Sequence, residues 1–121
     1  MKQLTKKQKQ LNKKLRHIQT KTYADKQLKI EQRKKLEAWS TQIRLKGICA
    51  ICEAVISLDA HHLLPKETYP EYKFELMNGI CLCKKHHKFG KFSAHKNGMW
   101  FAEWLRLNRF LQYEWVMGQL K

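Results

Sequence analysis

Two pairs of potential metal ligands constrain the fold of this chain more than any other feature of its sequence. Cys49-x2-Cys52 and Cys83-x2-His86 each separate their members by two residues, and thirty residues lie between the pairs. A two-residue gap lets both side chains of a pair reach one tetrahedral ion, and two such pairs leave no position for a substrate. The spacing therefore predicts a closed structural zinc site. The alternative is four unrelated buried cysteines and a surface histidine. Cys81 could also replace Cys83, although the spacing to His86 favours Cys83.

The N-terminal residues favour a reducing location for these cysteines. Residues 1–7 begin no apolar stretch typical of a signal peptide, so we expect an intracellular protein in which metal ligation outranks disulfides. No apolar run approaches the roughly 18 residues that would span a bilayer. At 121 residues and 43% hydrophobic composition, the chain is about one domain long and has a small core. A bound metal would help to stabilise such a core.

Positive charge is concentrated in the first third of the chain. Residues 1–46 hold 15 Lys and Arg against 3 acidic residues, whereas residues 47–121 hold 10 against 7. This charge density attracts a polyanion by releasing its condensed counterions, whatever the sequence of that polyanion. The segment therefore predicts nucleic-acid binding, with a solvated helix face or an arm that binds acidic lipid as alternatives. Its candidate phosphate contacts include Lys6, Lys7, Lys13 and Lys14.

The chain divides at Gly47 into a basic helical arm, residues 1–46, and a domain of short elements, residues 47–121. No proline or glycine precedes Gly47, and apolar residues recur in the arm at helical spacing. They are Leu4, Leu11, Leu15 and Ile18, followed by Leu36, Trp39 and Ile43. Residues 20–22, Thr-Lys-Thr, could cap a second helix, so we expect one or two helices, with the first 20 residues ordered only by a ligand.

Short elements of both kinds are predicted after Gly47, which makes the expected fold class α+β. Val55 to Leu58 form a β-branched and apolar run, and residues 66–77 form a loop. Asn78-Gly79 predicts a turn before a short strand, Ile80 to Leu82, and a helix is expected from about Lys84 until Gly90 ends or bends it. A C-terminal helix or a broken pair of helices is expected to pack an apolar stripe on the core. The stripe consists of Trp100, Trp104, Leu107, Leu111 and Trp115.

Five of the six histidines lie between residues 61 and 95. Adjacent residues of an extended segment point to opposite sides, so one member of the pair His61-His62 can hold a metal while the other faces a different partner. This arrangement suits phosphodiester hydrolysis, in which a divalent ion stabilises developing charge and a neutral imidazole takes a proton from water. By itself, the pair is more often a hydrogen-bonded surface feature. Asp59, two residues before His61, could be a ligand but is better interpreted as a carboxylate that fixes an imidazole tautomer.

The order of these motifs resembles the HNH endonuclease family in its zinc-supported form, over about residues 47–95. Cys49-x2-Cys52 is followed by residues 59–65, Asp-Ala-His-His-Leu-Leu-Pro, and then by residues 78–87, Asn-Gly-Ile-Cys-Leu-Cys-Lys-Lys-His-His. The family has a strand ending in His-His or Asp-His, an apolar pair with proline, an Asn-Gly or Asn-Leu turn, and a Leu-Cys-x2-Cys-His helix start. The resemblance implies a ββα-metal, treble-clef-like fold, in which a β-hairpin and a helix hold the catalytic ion.

The resemblance also implies roles for individual residues. His62 would be the general base, with His61 and His87 as ligands of the catalytic ion. Asn78 would orient His62 or approach the metal. The chain departs from the family at His86, where cysteine is more common, and at Lys91, where a further helix histidine is usual.

His95 is the nearest replacement for that missing histidine and would be a third ligand or a hydrogen-bonded structural histidine. Residues 92–97, followed by an aromatic segment, also look like those of small phage-type HNH proteins. Four lysines near the helix could contact phosphates, with a solvated helix face as the equal alternative. They are Lys84, Lys85, Lys88 and Lys91.

The function that we expect is hydrolysis of DNA by a metal-dependent endonuclease. The cofactors would be a structural Zn²⁺ and a catalytic Mg²⁺, Mn²⁺, Ni²⁺ or Zn²⁺. A non-catalytic zinc module that binds DNA or RNA is the alternative, and an RNase of the same fold would have nearly the same site. We expect a monomer or homodimer without a membrane partner. Its expected location is the cytoplasm of a bacterial or archaeal host, and its gene could belong to the host or to a phage.

Overall fold

The computed structural model describes residues 3–120, and residues 18–21 by their backbone alone. Three α-helices and a two-stranded antiparallel sheet form an α+β structure over this range. The elements are α1 (Lys6–Ile43), β1 (Leu58–His62), β2 (Gly79–Cys83), α2 (Gly98–Asn108) and α3 (Phe110–Gln119). The chain forms two compact units, Met1–Lys35 and Leu36–Lys121. The last eight residues of α1, from Leu36 to Ile43, therefore contribute to the second unit, although they were assigned to the arm by composition.

Helix α1 begins with a reciprocal cap. The Gln8 backbone N–H donates to Thr5 Oγ1 at 3.1 Å, and the Thr5 N–H donates to Gln8 Oε1 at 2.9 Å. These two bonds satisfy amides that have no partner within the helix. The second helix expected to begin near residues 20–22 is absent, because the backbone there is continuously helical. Lysine, glutamine and leucine are good helix formers and outweigh two threonines.

The apolar residues of the arm do not form a core. Leu4, Leu11 and Leu15 are about half exposed, at 50%, 56% and 48%. Ile18 lies outside the described side chains. Apolar residues near the other end of α1 behave differently, since Trp39 is only 4% exposed. Helical spacing therefore predicted the helix correctly, and burial among the side chains described on α1 is confined to its C-terminal part.

The sheet pairs β1 and β2 in a register that runs from Leu58 opposite Cys83 to His62 opposite Gly79. Val55 and Ile56, which begin the β-branched and apolar run, are 67% and 76% exposed and lie outside β1. Ser57 has a positive φ of 58°, which breaks the extended conformation before Leu58. The predicted strand from Ile80 to Leu82 is confirmed within β2.

The Asn78-Gly79 pair does not form the turn that its sequence predicted. Asn78 ends a short 3₁₀ turn, Leu76–Asn78, and Gly79 is extended, with φ −134° and ψ 149°. Any residue can adopt this backbone conformation. Glycine is required here for space, because a Cβ at Gly79 would lie 2.6 Å from Trp39 Cζ2 and from Ile43 Cγ1.

A single π-helical segment, Lys85–Phe89, follows β2. Gly90 caps it, as predicted, and donates its backbone N–H to the Lys85 carbonyl at 2.7 Å. The predicted helix is therefore only about one turn long, and Lys91 lies outside it. π-Helical segments of this length often occur at functional sites.

The C-terminal region forms two helices interrupted at Arg109, which has φ −136° and ψ 56°. This break rotates α3 relative to the periodicity of α2. Leu111, beyond the break, is 81% exposed, and Leu107, on α2, is 66% exposed, although both were predicted to pack on the core. Trp100 and Trp104 of the same stripe pack against the core, as predicted. The side chains that are buried instead are Phe101, Leu105 and Val116. Phe101 and Leu105 join one hydrophobic cluster with Cys49, Ile80, Leu82 and Cys83.

None of the helices within residues 3–120 is long and apolar enough to cross a membrane.

Candidate metal centre

Four side chains predicted to hold a metal come together at one end of the sheet. The cluster consists of Cys49, Cys52, Cys83 and His86, whose ligand atoms all lie within 4.8 Å of one another. Cys52 Sγ lies 3.7 Å from Cys83 Sγ, and His86 Nδ1 lies 3.3 Å from Cys83 Sγ. Two sulfurs bound tetrahedrally to one zinc at 2.3 Å would be about 3.8 Å apart. The four ligands are thus arranged as a metal such as zinc requires, and this cluster could hold one.

The backbone around Cys49 also favours a metal ligand. Ile51 donates its N–H to Cys49 Sγ at 3.4 Å, within a turn closed by the Cys49 N–H and the Ala54 carbonyl at 2.8 Å. Burial raises the pKa of the Cys49 thiol. Hydrogen bonds from the backbone amides of Cys52, Cys83 and Ile51 lower it by more than burial raises it, so the resulting pKa is below the ordinary value. A lower pKa favours the thiolate, which is the form that binds a metal.

Cys81 is buried but does not belong to this cluster. Residues two apart on a strand share a face, so Cys81 and Cys83 both leave β2 on the same side. Of the two, the Cys83 thiol is the one that lies with Cys49, Cys52 and His86. Burial raises the pKa of the Cys81 thiol, which keeps it neutral.

A second cluster contains three histidines from three parts of the chain. His61 lies on β1, His87 on the π-helical segment, and His95 in the loop before α2, and their ligand nitrogens all lie within 4.8 Å of one another. The two Nε2 atoms of His87 and His95 are 3.1 Å apart. Two nitrogens bound tetrahedrally to one ion at 2.0–2.1 Å would be about 3.3 Å apart. The spacing fits a shared ion, and the three imidazoles leave further coordination positions for solvent or substrate.

Backbone hydrogen bonds explain how His95 reaches this cluster from outside a helix. The loop after Gly90 folds back along the π-helical segment, where Ala94 N–H donates to the His86 carbonyl at 2.8 Å and His95 N–H to the His87 carbonyl at 3.1 Å. The buried Ser93 side chain lies within the fold of this loop and accepts from the Lys96 N–H at 3.2 Å. The loop therefore supplies from His95 the position that a longer helix would have supplied from residue 91.

Asp59 fixes the tautomer of His87. Asp59 Oδ2 lies 2.9 Å from His87 Nδ1, and its other oxygen pairs with Lys84 Nζ. A carboxylate only accepts, so Nδ1 carries the proton and Nε2 keeps its lone pair toward the cluster. Burial raises the pKa of Asp59, but the bonds from Lys84 and His87 outweigh it and hold this pKa below its usual value. Asp59 could have been a metal ligand or a carboxylate that fixes an imidazole tautomer, and its contact with His87 Nδ1 fits the second role.

Two histidines of the second cluster, His61 and His87, are disposed to be neutral. Burial, with additional repulsion from His87 and His95, lowers the pKa of His61 to about 3. Burial also lowers the pKa of His87, although Asp59 opposes this effect. A neutral imidazole has a free lone pair, so protons compete little with a metal at these nitrogens.

His62 lies on the face of β1 opposite His61, as the alternation of an extended strand predicts. Its ring stacks on the indole of Trp39, with centroids 3.9 Å apart and planes 7° apart. Its Nε2 lies 2.9 Å from the Lys73 carbonyl oxygen, which only accepts, so the proton is on Nε2 and Nδ1 is free. Burial lowers the pKa of His62, partly offset by this hydrogen bond. Sequence reasoning missed both the Trp39 ring and the Lys73 carbonyl, since neither belongs to a recognisable motif.

Asn78 is completely buried and binds backbone alone. Its Oδ1 accepts from the Leu64 N–H at 2.7 Å, and its Nδ2 donates to the carbonyls of Leu64 and Tyr72 at 3.2 and 3.0 Å. These bonds fasten the end of β1 to the loop that precedes β2. Asn78 does not belong to the three-histidine cluster. It binds the carbonyl of Tyr72, and the next residue, Lys73, supplies the carbonyl that contacts His62.

An open cleft of about 330 Å³ exposes the second cluster. All three of its histidines line the cleft, together with His62 and the exposed residues Lys66, Glu67 and Lys88. A more apolar groove of about 460 Å³ shares His61, His62 and His95 with the cleft and continues to α2 and α3. Pro65 lines both. Sequence reasoning had not selected Lys66 or Glu67.

The other predicted phosphate contacts are exposed, and they differ in their partners. Lys84 pairs with Asp59, whereas Lys91 lies 5.7 Å from the Phe92 ring. Lys85 is exposed at the start of the π-helical segment. Lys6, Lys7, Lys13 and Lys14 are exposed on α1, within the unit Met1–Lys35.

Comparison with known proteins finds no family model that matches the chain, and no match among curated proteins or solved structures.

Proposed function

We propose that this protein is a metal-dependent endonuclease of the HNH type, which hydrolyses phosphodiester bonds in DNA. The observation that supports this most is the segregation of the ligands into two clusters of different character. One has four ligands in two pairs and no room for a substrate, whereas the other has three imidazoles on an open cleft. Closed four-ligand sites are structural, and open three-ligand sites are catalytic.

In this proposal the four-residue cluster binds a structural Zn²⁺. Cys49 and Cys52 lie before the sheet, Cys83 is the last residue of β2, and His86 lies just after it, so one ion would join segments on either side of the sheet. The antiparallel pair of strands followed by a short helical segment is also the order of elements expected of a ββα-metal fold.

The three-histidine cluster would hold a divalent ion such as Mg²⁺, Mn²⁺, Ni²⁺ or Zn²⁺ through His61, His87 and His95. An ion bound there would supply charge stabilisation for the phosphate and the leaving oxygen. Asp59 keeps His87 in the tautomer that presents Nε2 to this position. Lys66 and Lys88, exposed at the cleft, would bind phosphates beside the scissile bond.

His62 is proposed as the general base. It lines the same cleft, it is neutral because burial lowers its pKa, and its Nε2 proton is committed to Lys73. The lone pair on Nδ1 is therefore available to take a proton from an attacking water. Asn78 contributes by holding the loop that carries the Lys73 carbonyl.

The basic arm would supply most of the affinity for DNA. Residues 1–35 hold 13 Lys and Arg against Asp25 and Glu31, and the described lysines among them are exposed. Binding of this kind reads phosphate and not base sequence. A non-catalytic binding module would need the arm and the structural zinc alone, and it would leave the cleft histidines without a role.

The test is cleavage of supercoiled plasmid, duplex, branched junction and RNA by the metal-free protein reloaded with Zn²⁺ at its structural site. Each substrate is incubated with EDTA, Mg²⁺, Mn²⁺ or Ni²⁺. We expect DNA cleavage that requires the added ion and is lost in His62→Ala, with Glu114→Ala on the exposed face of α3 as the control. Cleavage of RNA alone would make the protein an RNase, and binding without cleavage of any substrate would favour the non-catalytic module.

A further inference from the structure

Trp39 makes two directional contacts that a residue of the hydrophobic core does not need. Its indole lies flat on the His62 ring, 3.9 Å between centroids and 7° between planes. Its Nε1–H donates to the Glu75 carbonyl at 2.8 Å. The side chain is only 4% exposed. Rotation of the indole would break this hydrogen bond and would leave a buried N–H unpaired, which is unfavourable.

Two contacts constrain His62, and the second depends on the first, because rotation of the ring would carry Nε2 away from the Lys73 carbonyl. The Trp39 face fixes the plane of the imidazole, and the Lys73 carbonyl, 2.9 Å from Nε2, fixes which nitrogen carries the proton. Both anchoring carbonyls, those of Lys73 and Glu75, lie on the same short segment before Asn78. One segment of the loop therefore fixes the positions of both the Trp39 indole and the His62 imidazole.

Gly79 makes this arrangement possible. It pairs with His62 across the sheet, so the two residues lie side by side at the ends of their strands. A Cβ at position 79 would lie 2.6 Å from Trp39 Cζ2, closer than carbon atoms approach without displacement. The absence of a side chain at Gly79 thus provides the space in which the indole lies against the strand pair and covers His62.

We infer that Trp39 is a positioning residue for His62, because it holds the plane of an imidazole that lines the cleft and whose Nε2 is committed to the Lys73 carbonyl. The role of His62 in cleavage rests on the proposed function, whereas its fixed ring plane and tautomer do not. Trp39 lies on α1, outside the segment of about residues 47–95 that contains the metal ligands. The catalytic unit therefore includes the end of this helix.

The experiment compares Trp39→Leu and Trp39→Phe in the full-length zinc-loaded protein. The histidine tautomers are read from ¹⁵N–¹H correlation spectra of the imidazole rings, and cleavage is measured as kcat and KM. Trp100→Leu is the matched control, since Trp100 packs on Phe92 at 5.5 Å and does not contact His62.

In the wild type, His62 is expected to show a single Nε2-protonated form. Trp39→Leu is expected to give a mixture of tautomers and to lower kcat by about a hundredfold with little change in KM, since a displacement of about 1 Å can cost that much. Trp39→Phe keeps an aromatic face and is expected to retain most of kcat. Trp100→Leu should leave the His62 signals and kcat as in the wild type.

A single His62 tautomer and an unchanged kcat in Trp39→Leu would overturn the inference. If Trp39→Leu does not fold, Gly79→Ala decides, because the added methyl displaces the indole and removes no apolar side chain. Unchanged His62 signals in folded Gly79→Ala would equally refute the role of Trp39. If the wild type cleaves nothing, the nuclease proposal fails, and the tautomer spectra still test the positioning.

Discussion

Replacement of Asn78 by alanine removes three hydrogen bonds from a completely buried site. Leu64 loses the partners of both its N–H and its carbonyl, and Tyr72 loses the partner of its carbonyl. Each bond contributes about 0.5–1.5 kcal/mol net, and a buried backbone group left unpaired adds its own desolvation cost. We therefore expect Asn78→Ala to lower the free energy of unfolding by about 3–4 kcal/mol. Few single substitutions are so costly.

Urea denaturation followed by tryptophan fluorescence measures this loss. All four tryptophans, Trp39, Trp100, Trp104 and Trp115, lie in the unit Leu36–Lys121, so the signal reports the unit that contains Asn78. The concentration of free Zn²⁺ must be equal for both proteins, because a ligand of the native state shifts apparent stability.

The control is Asn108→Ala, which removes one exposed hydrogen bond, from Nδ2 to the Trp104 carbonyl. We expect it to change stability by less than about 0.5 kcal/mol. A loss below about 1 kcal/mol in Asn78→Ala would refute the reasoning, because it would mean that the three bonds contribute no more than one ordinary bond does.

Three further changes test the metal sites and the arm. Cys49→Ser should abolish cooperative unfolding and zinc retention, since metal binding supplies folding free energy. Cys81→Ser should retain the zinc. The measured zinc content of the two variants checks this prediction. Asp59→Asn should weaken Mn²⁺ or Ni²⁺ binding at the three-histidine site by about 10–100-fold, because the partner of His87 becomes neutral. Calorimetry that finds equal affinity would contradict this role. Deletion of residues 1–20, which hold seven Lys and Arg, should reduce the slope of log affinity for DNA against log salt by at most about six. An unchanged slope would show that the arm does not bind phosphates.

Local patterns predicted the elements that local forces determine. A segment without proline or glycine and rich in lysine, glutamine and leucine became helix α1. Of the two arrangements that the sequence left open, one helix or two, the structure has one, because the threonines at residues 20 and 22 cost less than the helix around them gains. The interpretation of Asn78-Gly79 as a turn failed for a different reason. Glycine is required there by Trp39, forty residues earlier, and a local pattern cannot represent such a contact.

The ligand sets were predictable because metal coordination imposes strict spacing. Two-residue gaps selected Cys49 with Cys52 and Cys83 with His86, and strand alternation separated His61 from His62. The contacts that orient these residues were not predictable, since backbone carbonyls such as those of Lys73 and Glu75 carry no sequence signal. The apolar stripe of the C-terminal region was predicted correctly at Trp100 and Trp104, which pack against the core. It failed at Leu107 and at Leu111, the second of which lies beyond the break at Arg109.

His86 and His87 are neighbours in the chain, yet they belong to different clusters. One peptide bond therefore links the closed site to the open one, and an ion leaving the first would free the segment that carries a ligand of the second. In the proposed nuclease, a chelator that removed an ion only from the closed site would still abolish cleavage. Inhibition by a chelator consequently cannot identify which ion participates in the reaction. The order in which the two ions leave, followed over time against residual activity, would distinguish them.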